Sequence, residues 1–338
     1  MDEIRLPAPR RILVINVTRI GDTLLATPAV RALAKAWPRA ELTYLGHPKR
    51  VEVVRHLPFI AASGAITKQR ARWRGWLGAR RWDLALVYGF DRPLVAYALR
   101  AAERVVAFRQ GDAQLDARLY RPVEPPPATM HAARSPLLLT RALGVPDDGL
   151  RLAYTVTPEE KSWARAFLAA TRLPGEEPLI GLQIAGFAAT RYRDWPLESF
   201  AALAARITGR WPRARLLLFG GDAERSRTAA LAGRLGSCAS NLAGRLTLRQ
   251  SAAVMDALDL YIGVDTGPTH IMGALDAPMV ALYHCHSPGA LIGPLERARC
   301  HVVEHPHPAP CGPEVSMAEL PVDTVWSKVL EALPSHAS

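Results

Sequence analysis

The chain has 338 residues, long enough for two domains that each bury a core of their own. With 49% hydrophobic and 22% charged residues it has the balance of a globular protein, which excludes a disordered or fibrous chain. Lysine and arginine outnumber aspartate and glutamate by 42 to 31, a net charge of +11, so the surface attracts phosphates; on charge alone nucleotide, nucleic acid and anionic lipid all stay open.

Residues 1–11 carry charges and prolines, and the apolar run Ile12–Val17 is too short for a signal sequence or a membrane span, so a cytoplasmic protein is expected. Cys238, Cys285, Cys300 and Cys311 form no CxxC pair and are too sparse for a disulfide framework, which fits a reducing compartment. The first strand is RILVINV, 11–17, followed after a turn at Arg19–Asp22 by helically spaced apolar residues through Leu24, Leu25, Val30, Leu33 and Trp37. Pro28 either kinks that helix or opens it behind Thr27. ELTYLG (41–46) and DLALVYG (83–89) read as further strands, Pro122–Pro127 as irregular chain, and Ser135–Leu143 as a helix closing the first half. A connector helix at Pro158–Ala170 leads to a second series: LIGLQIA (179–185), RLLLFGG (215–221), LDLYIGV (258–264) and, last, MVALYH (279–284). A helix over Val322–Leu333 ends the chain. Strands alternating with helices imply βαβ units and parallel sheets, and two halves that each open on a buried strand suggest a structural duplication without a residue-level repeat.

Four segments carry chemistry. In IGVDTGPTHIMGAL, 262–275, a strand runs through Asp-Thr-Gly-Pro into a helix, so backbone N–H groups at a positive helix end await phosphate. Thr266 and Gly267 would serve that ligand and His270 lies one turn on, unless Asp265 or Thr266 is only a cap and His270 only packs. In VTRIGDTLLATP, 17–28, Asp22 is either a general base at a crevice edge or an N-cap, and Arg19 either meets an anion or faces solvent. In GFAATRYRDWPLESF, 186–200, Arg191 and Arg193 suit a diphosphate while Trp195 packs. Glu224 in GGDAE, 220–224, suits ribose hydroxyls or its own helix. The stretch KQRARWRGWLGARRW, 68–82, brings Arg70, Arg72 and Arg74 together with Trp73, Trp76 and Trp82, either as a surface for a phosphorylated or membrane-embedded acceptor or as a solvated face. His284, Cys285, His286, Cys300, His301, His305, His307 and Cys311 match no zinc spacing, and no metal is expected. P-loop, GxGxxG, HExxH and GxSxG signatures are missing, which argues against the corresponding enzyme classes, and no nucleic-acid motif accompanies the charge.

In their order, the segments RILVINVTRIGDTLLATPAVRAL, WDLALVYGFDR, TRYRDWPLESFAAL, LLLFGGDAE, NLAGRLTLRQSAAVMDALDLYIGVDTGPTHIMGAL and GPL resemble the heptosyltransferases of glycosyltransferase family 9, from Arg11 to about Leu333. The resemblance implies the α/β GT-B fold, two Rossmann-like doubly wound domains facing across a central cleft. It implies an acceptor domain at 1–155, a connector helix at 156–177, a nucleotide-sugar domain at 178–318 and a C-terminal helix and tail at 319–338. It further implies an inverting, metal-independent transferase with no cofactor. That enzyme would move heptose from ADP-heptose onto lipopolysaccharide core, touching the cytoplasmic face of the inner membrane at most peripherally and binding no nucleic acid. Asp22 matches the family's base; Thr190, Arg193, Glu224, Asp265, Thr266, Gly267 and His270 match donor positions; and Arg19, Arg70, Arg72 and Arg74 are the acceptor candidates. Two departures stand out: Arg193 replaces a usual lysine, and His284-Cys285-His286-Ser287-Pro288 replaces a usual Gly-Pro-Thr-Ser-Pro. Another nucleotide sugar, a protein acceptor, or an epimerase of the same architecture remain the alternatives.

Overall fold

A computed structural model describes residues 7–73, 80–171, 175–186 and 188–333. The chain divides into two compact units, residues 1–155 and 156–338. The first holds strands β1 (Arg11–Asn16), β2 (Glu41–Gly46), β3 (Ala62–Ala65), β4 (Trp82–Val87), β5 (Ala102–Phe108) and β6 (Arg121–Val123). They pair in parallel in the order β3-β2-β1-β4-β5-β6. The second holds β7 (Leu179–Gln183), β8 (Arg215–Phe219), β9 (Ala239–Asn241), β10 (Leu260–Val264), β11 (Met279–Tyr283) and β12 (Cys300–Glu304). Its order, β12-β11-β10-β7-β8-β9, is also all parallel, and counted from each unit's own first strand the two orders are the same.

Helices cover both faces of a parallel sheet, so its central strands have no wet side and read as unbroken apolar runs. Ile12 to Ile15 of β1 and every residue of β7, β10 and β11 are buried accordingly. In the second unit the strand side chains Ile180, Leu216, Ile262 and Val280 share one core with Phe200, Leu203 and Val325 from the helices Leu197–Arg210 and Val322–Ala332.

A carboxylate clips each first strand in register. Asp83 of β4 accepts the N–H groups of Arg10 and Arg11 at 2.7 and 2.9 Å, and Asp259, just before β10, accepts that of Leu179 at 2.7 Å. In both units the next residue, Leu84 or Leu260, then pairs with the isoleucine that follows the clipped position, Ile12 or Ile180. The duplication thus has a residue-level echo, contrary to the expectation of none. Those two N–H bonds hold the Asp83 carboxyl below the usual carboxylate range.

Other expectations need correction. The second series does not end at β11, because Cys300–Glu304 adds β12 at the edge. Pro122 lies inside β6, where an edge strand tolerates a residue with no N–H to give. The first helix is two, Ile20–Leu25 and Thr27–Ala36. Pro28 cannot donate to the Leu24 carbonyl, and the Thr27 hydroxyl takes its place at 2.6 Å. Of the basic stretch 68–82, a helix spans Lys68–Trp73, whereas Arg74 and Trp76 fall outside the described residues.

Gly181 in the middle of β7 leaves no room for a side chain: an added Cβ would lie 2.5 Å from Leu258 Cδ1 and 2.8 Å from Phe219 Cε2. Gly181→Ala should therefore cost about 1–3 kcal/mol through overpacking. The check is the denaturation midpoint of the full chain; an unshifted midpoint would mean that both neighbours yield freely.

Candidate active site

In an open parallel sheet, ligands settle beyond the C-terminal strand ends where the chain order reverses. That point lies between β1 and β4 in the first unit and between β7 and β10 in the second.

In the second unit Asp265 leaves β10 with its carboxylate 3% exposed, and it receives Arg193 Nη1 at 2.5 Å and lies 3.3 Å from His270 Nε2. Arg193 comes from the short helical loop Ala188–Arg193 after β7, so this pair bridges the reversal point. Its Nη2 donates to Ser287 Oγ at 3.0 Å and its Nε to the Tyr192 hydroxyl at 3.1 Å. Of the five N–H donors on a guanidinium, one on each Nη is left for a ligand.

The approach is close because Gly186 lacks a side chain; a Cβ there would lie 2.9 Å from Thr266 Cγ2 and 3.8 Å from Thr190 Oγ1. Two further ties hold the loop. Asp194 accepts the Gly186 N–H at 3.0 Å and Arg227 Nη1 at 2.5 Å, burial pushing its carboxyl above the ordinary value despite both partners. Trp195 is fully buried, packs edge-on against Phe200 and donates from Nε1 to the Leu320 carbonyl at 3.0 Å. It packs, as expected, and cannot stack on a base.

Thr266 is the N-cap of the helix Gly267–Ala274, yet its side chain caps nothing. Its hydroxyl lies 3.2 Å from that of Thr269, which donates to the Val264 carbonyl. The Gly267 and Thr269 N–H groups therefore have no partner among the described residues, and they sit at the positive helix end beside Arg193. His270 is buried: its Nε2 faces Asp265, and its Nδ1, shielded from solvent, has no hydrogen-bond partner among the described residues. Glu224 accepts the Gly221 N–H at 2.8 Å, the capping role, which occupies one of its oxygens.

In the first unit, Asn16, Thr18, Asp22, Tyr88, Gly89 and Phe108 contribute to a pocket of about 180 Å³ at the ends of β1, β4 and β5. Asp22 stands in the first turn of the helix Ile20–Leu25, exposed, and its carboxylate has no hydrogen bond or ion pair among the described residues. It caps nothing: the N-cap is Arg19, whose carbonyl accepts the Thr23 hydroxyl at 2.8 Å. The side chain of Arg19 is exposed, as are those of Arg70 and Arg72 on the helix that ends at Trp73, itself 82% exposed.

The histidine and cysteine cluster is the part sequence reasoning misjudged. Cys285 and Cys311 form a disulfide, against the expectation of unpaired thiols. His284, Cys285 and Cys311 donor atoms lie within 4.8 Å of one another, but they are spent on each other and on backbone. His284 Nε2 donates to the Val315 carbonyl at 2.8 Å while Nδ1 accepts the His286 N–H at 3.0 Å. His305 repeats the pattern with Ser316 and His307 at 3.0 and 3.1 Å. A His-x-His spelling at the ends of two neighbouring strands was the available signal.

The family model described as glycosyltransferase family 9 (heptosyltransferase) matches residues 75–320. The chain belongs to glycosyltransferase family 9. Among curated members of the family, the chain is 26% identical over 319 residues to lipopolysaccharide heptosyltransferase 1 of Pseudomonas aeruginosa, covering 89% of this chain and 86% of that one. The solved family 9 glycosyl transferase of Veillonella parvula superposes with a TM-score of 0.81 at 22% identity, covering 96% and 97% of the two chains. The E. coli ADP-heptose lps heptosyltransferase II does so with a TM-score of 0.76 at 19% identity, covering 95% and 99%. These likenesses establish the fold, and family membership makes the chain a glycosyltransferase. No helix among the described residues is long and apolar enough to cross a membrane.

Removing the Asp265 carboxylate strands the Arg193 guanidinium, so Asp265→Ala should destabilise the second unit by roughly 3 kcal/mol, read from chemical denaturation. A second outcome concerns pH. Burial holds the His284 ring below its ordinary value of 6.5, so the unfolded chain takes up a proton there before the folded one does. Its stabilising contribution is complete above 6.5 and is lost as pH falls below it. Melting midpoints across that range should drop towards acid, less steeply in His284→Gln.

Proposed function

We propose that the chain transfers heptose from ADP-heptose to a lipopolysaccharide-core acceptor, by one displacement that inverts the anomeric carbon. The observation that carries this reading is the pairing of two unengaged N–H groups, on Gly267 and Thr269, with a guanidinium that Asp265 holds at the same strand-end turn. A diphosphate is the ligand such donors suit: two oxygens take the free Nη hydrogens of Arg193 and others take the helix end. Thr266 and Thr190 add hydroxyls beside them. The free oxygen of Glu224 accepts from ribose. The names of the relatives supply the heptose, the adenosine diphosphate and the acceptor.

Negative charge grows on the departing diphosphate as the sugar bond breaks. Donors already fixed by Asp265, Ser287 and Tyr192 need no reorganisation at that moment, so they favour the transition state over the ground state. Asp22, exposed and without a partner among the described residues, takes the proton of the attacking acceptor hydroxyl. Arg19, Arg70 and Arg72 attract an acceptor's phosphates, and Trp73 gives them an amphipathic neighbour at a membrane surface; Arg74, outside the described residues, extends the same basic run. No metal or cofactor enters these steps.

Asp22→Asn should lower kcat by about 100-fold or more while leaving ADP affinity near wild type. Single-turnover assays with ADP-heptose and a heptose-free core acceptor measure the first, calorimetry the second. Wild-type turnover in the variant would remove Asp22 from the base role, and isomerised sugar formed from donor alone would instead mark an epimerase.

A further inference from the structure

We infer that the Cys285–Cys311 disulfide is a thiol-reversible positioning element for Arg193, through which the oxidation state of two cysteines sets donor affinity. The sequence contains four cysteines, and only these two are joined. Cys285 directly follows His284 at the end of β11 and is two residues from Ser287, which holds Arg193 Nη2. Cys311 lies 26 residues further along, in the segment that returns across the ends of β11 and β12.

From the disulfide to Arg193 every step is a contact. His286 Nδ1 lies 2.8 Å from the Cys311 carbonyl. The rings of His284 and His286 both meet Tyr192 edge-on, with centroids 5.2 Å apart in each case. Tyr192 in turn accepts from Arg193 Nε and lies under its guanidinium, 5.3 Å from ring to Cζ. Two of the three side chains that orient Arg193, Ser287 and Tyr192, are therefore anchored beside the disulfide, and only Asp265 is independent of it.

Closing the loop covalently removes conformational freedom that the open chain would have to give up when the donor binds. Cutting it returns that cost to the binding step. The reductant is a dithiol. Its thiolate attacks Sγ of Cys311, the partly exposed residue of the pair, and Cys285, 1% exposed, leaves as the thiolate. The second thiol of the reductant then closes its own disulfide and releases Cys311. Two electrons pass to the protein, one S–S bond breaks, and two protons complete the thiols. A glutathione disulfide reverses the exchange. Cys300 takes no part, because burial pushes its thiol up to about 11.

The ligand in the test, ADP, rests on the donor reading above, so a second readout that needs no ligand accompanies it. The full chain is oxidised with glutathione disulfide or reduced with dithiothreitol, the state is verified by mass spectrometry, and ADP binding and amide hydrogen exchange are measured on both. Oxidised protein should bind ADP about fivefold or more tightly than reduced, with slower exchange at 188–195 and 305–316. Cys311→Ser should bind like reduced protein and ignore the reagents, while Cys238→Ser and Cys300→Ser should still respond. Equal affinity in the two states overturns the inference, as does a failure of the pair to oxidise. If ADP binds neither state the donor reading fails, and exchange at 188–195 decides alone: unchanged rates overturn the positioning role. Should Cys311→Ser not fold, the comparison of the two wild-type states stands by itself.

Discussion

A carboxylate taken out of water must be compensated, and the compensation of Asp265 organises the second unit's site. Its 3% exposure leaves it dependent on Arg193 at one oxygen and His270 at the other. Such a buried pair gives little net stability against an apolar replacement, since desolvation cancels most of the attraction. What it supplies is position. Asp265 is fixed by the strand β10 and Arg193 by the loop after β7, so the pair can form only if the two strand ends meet at the reversal point. The Asp194–Arg227 pair, the buried Trp195 and the missing side chain at Gly186 all serve that one approach.

The two reversal points are alike in topology and opposite in electrostatics. In the second unit the buried carboxylates Asp265 and Asp194 are each matched by an arginine, which suits a site that must hold a polyanion without rearranging. In the first, Asp22 is exposed and unmatched among the described residues, which suits a group that must gain and lose a proton. Same sheet order, same clip at the base of the first strand, different loops: the two units differ in the residues after β1, β7 and β10, on a scaffold they share.

How much could be read beforehand follows from where the signals arise. β1, β7, β10 and β11 are buried on both faces, so their sequences are apolar runs that announce themselves, and the turns after β1, β7 and β10 carried most of the candidate residues with them. The edge strands β3, β6, β9 and β12 are short and half-covered, so ASGA, RPV, ASN and CHVVE show no period. β5 hid for another reason: it starts at Ala102, directly after the helix Arg92–Ala101, with no turn residue to mark the change. The repeat lay in plain view as Asp83-Leu84 and Asp259-Leu260, but two residues separated by 176 positions mean nothing until pairing shows that both clip a first strand. Partners at long range were illegible for the same reason. Nothing local to Arg193 names Ser287, and nothing local to Cys285 names Cys311.

The histidines at the ends of β11 and β12 show how a side chain can replace a sheet where the ladder stops. The ladder between the two strands ends where the His305 N–H donates to the Tyr283 carbonyl at 3.0 Å, and the segment 312–316 crosses their ends in irregular conformation. The Ser316 carbonyl also accepts the Glu319 N–H at 3.0 Å, whereas that of Val315 has no backbone donor among the described residues. His284 and His305 reach them with Nε2 and accept the following turn's N–H with Nδ1, so each ring carries two backbone bonds and must stay neutral to do so. Protonation of Nδ1 would turn an acceptor into a donor against a donor. Lysine or arginine could give to the carbonyl but could not accept, and asparagine lacks the reach across the ring. An imidazole with its proton on the far nitrogen is the side chain whose chemistry fits this joint, and the joint keeps Tyr192, and through it Arg193, where Asp265 can hold it.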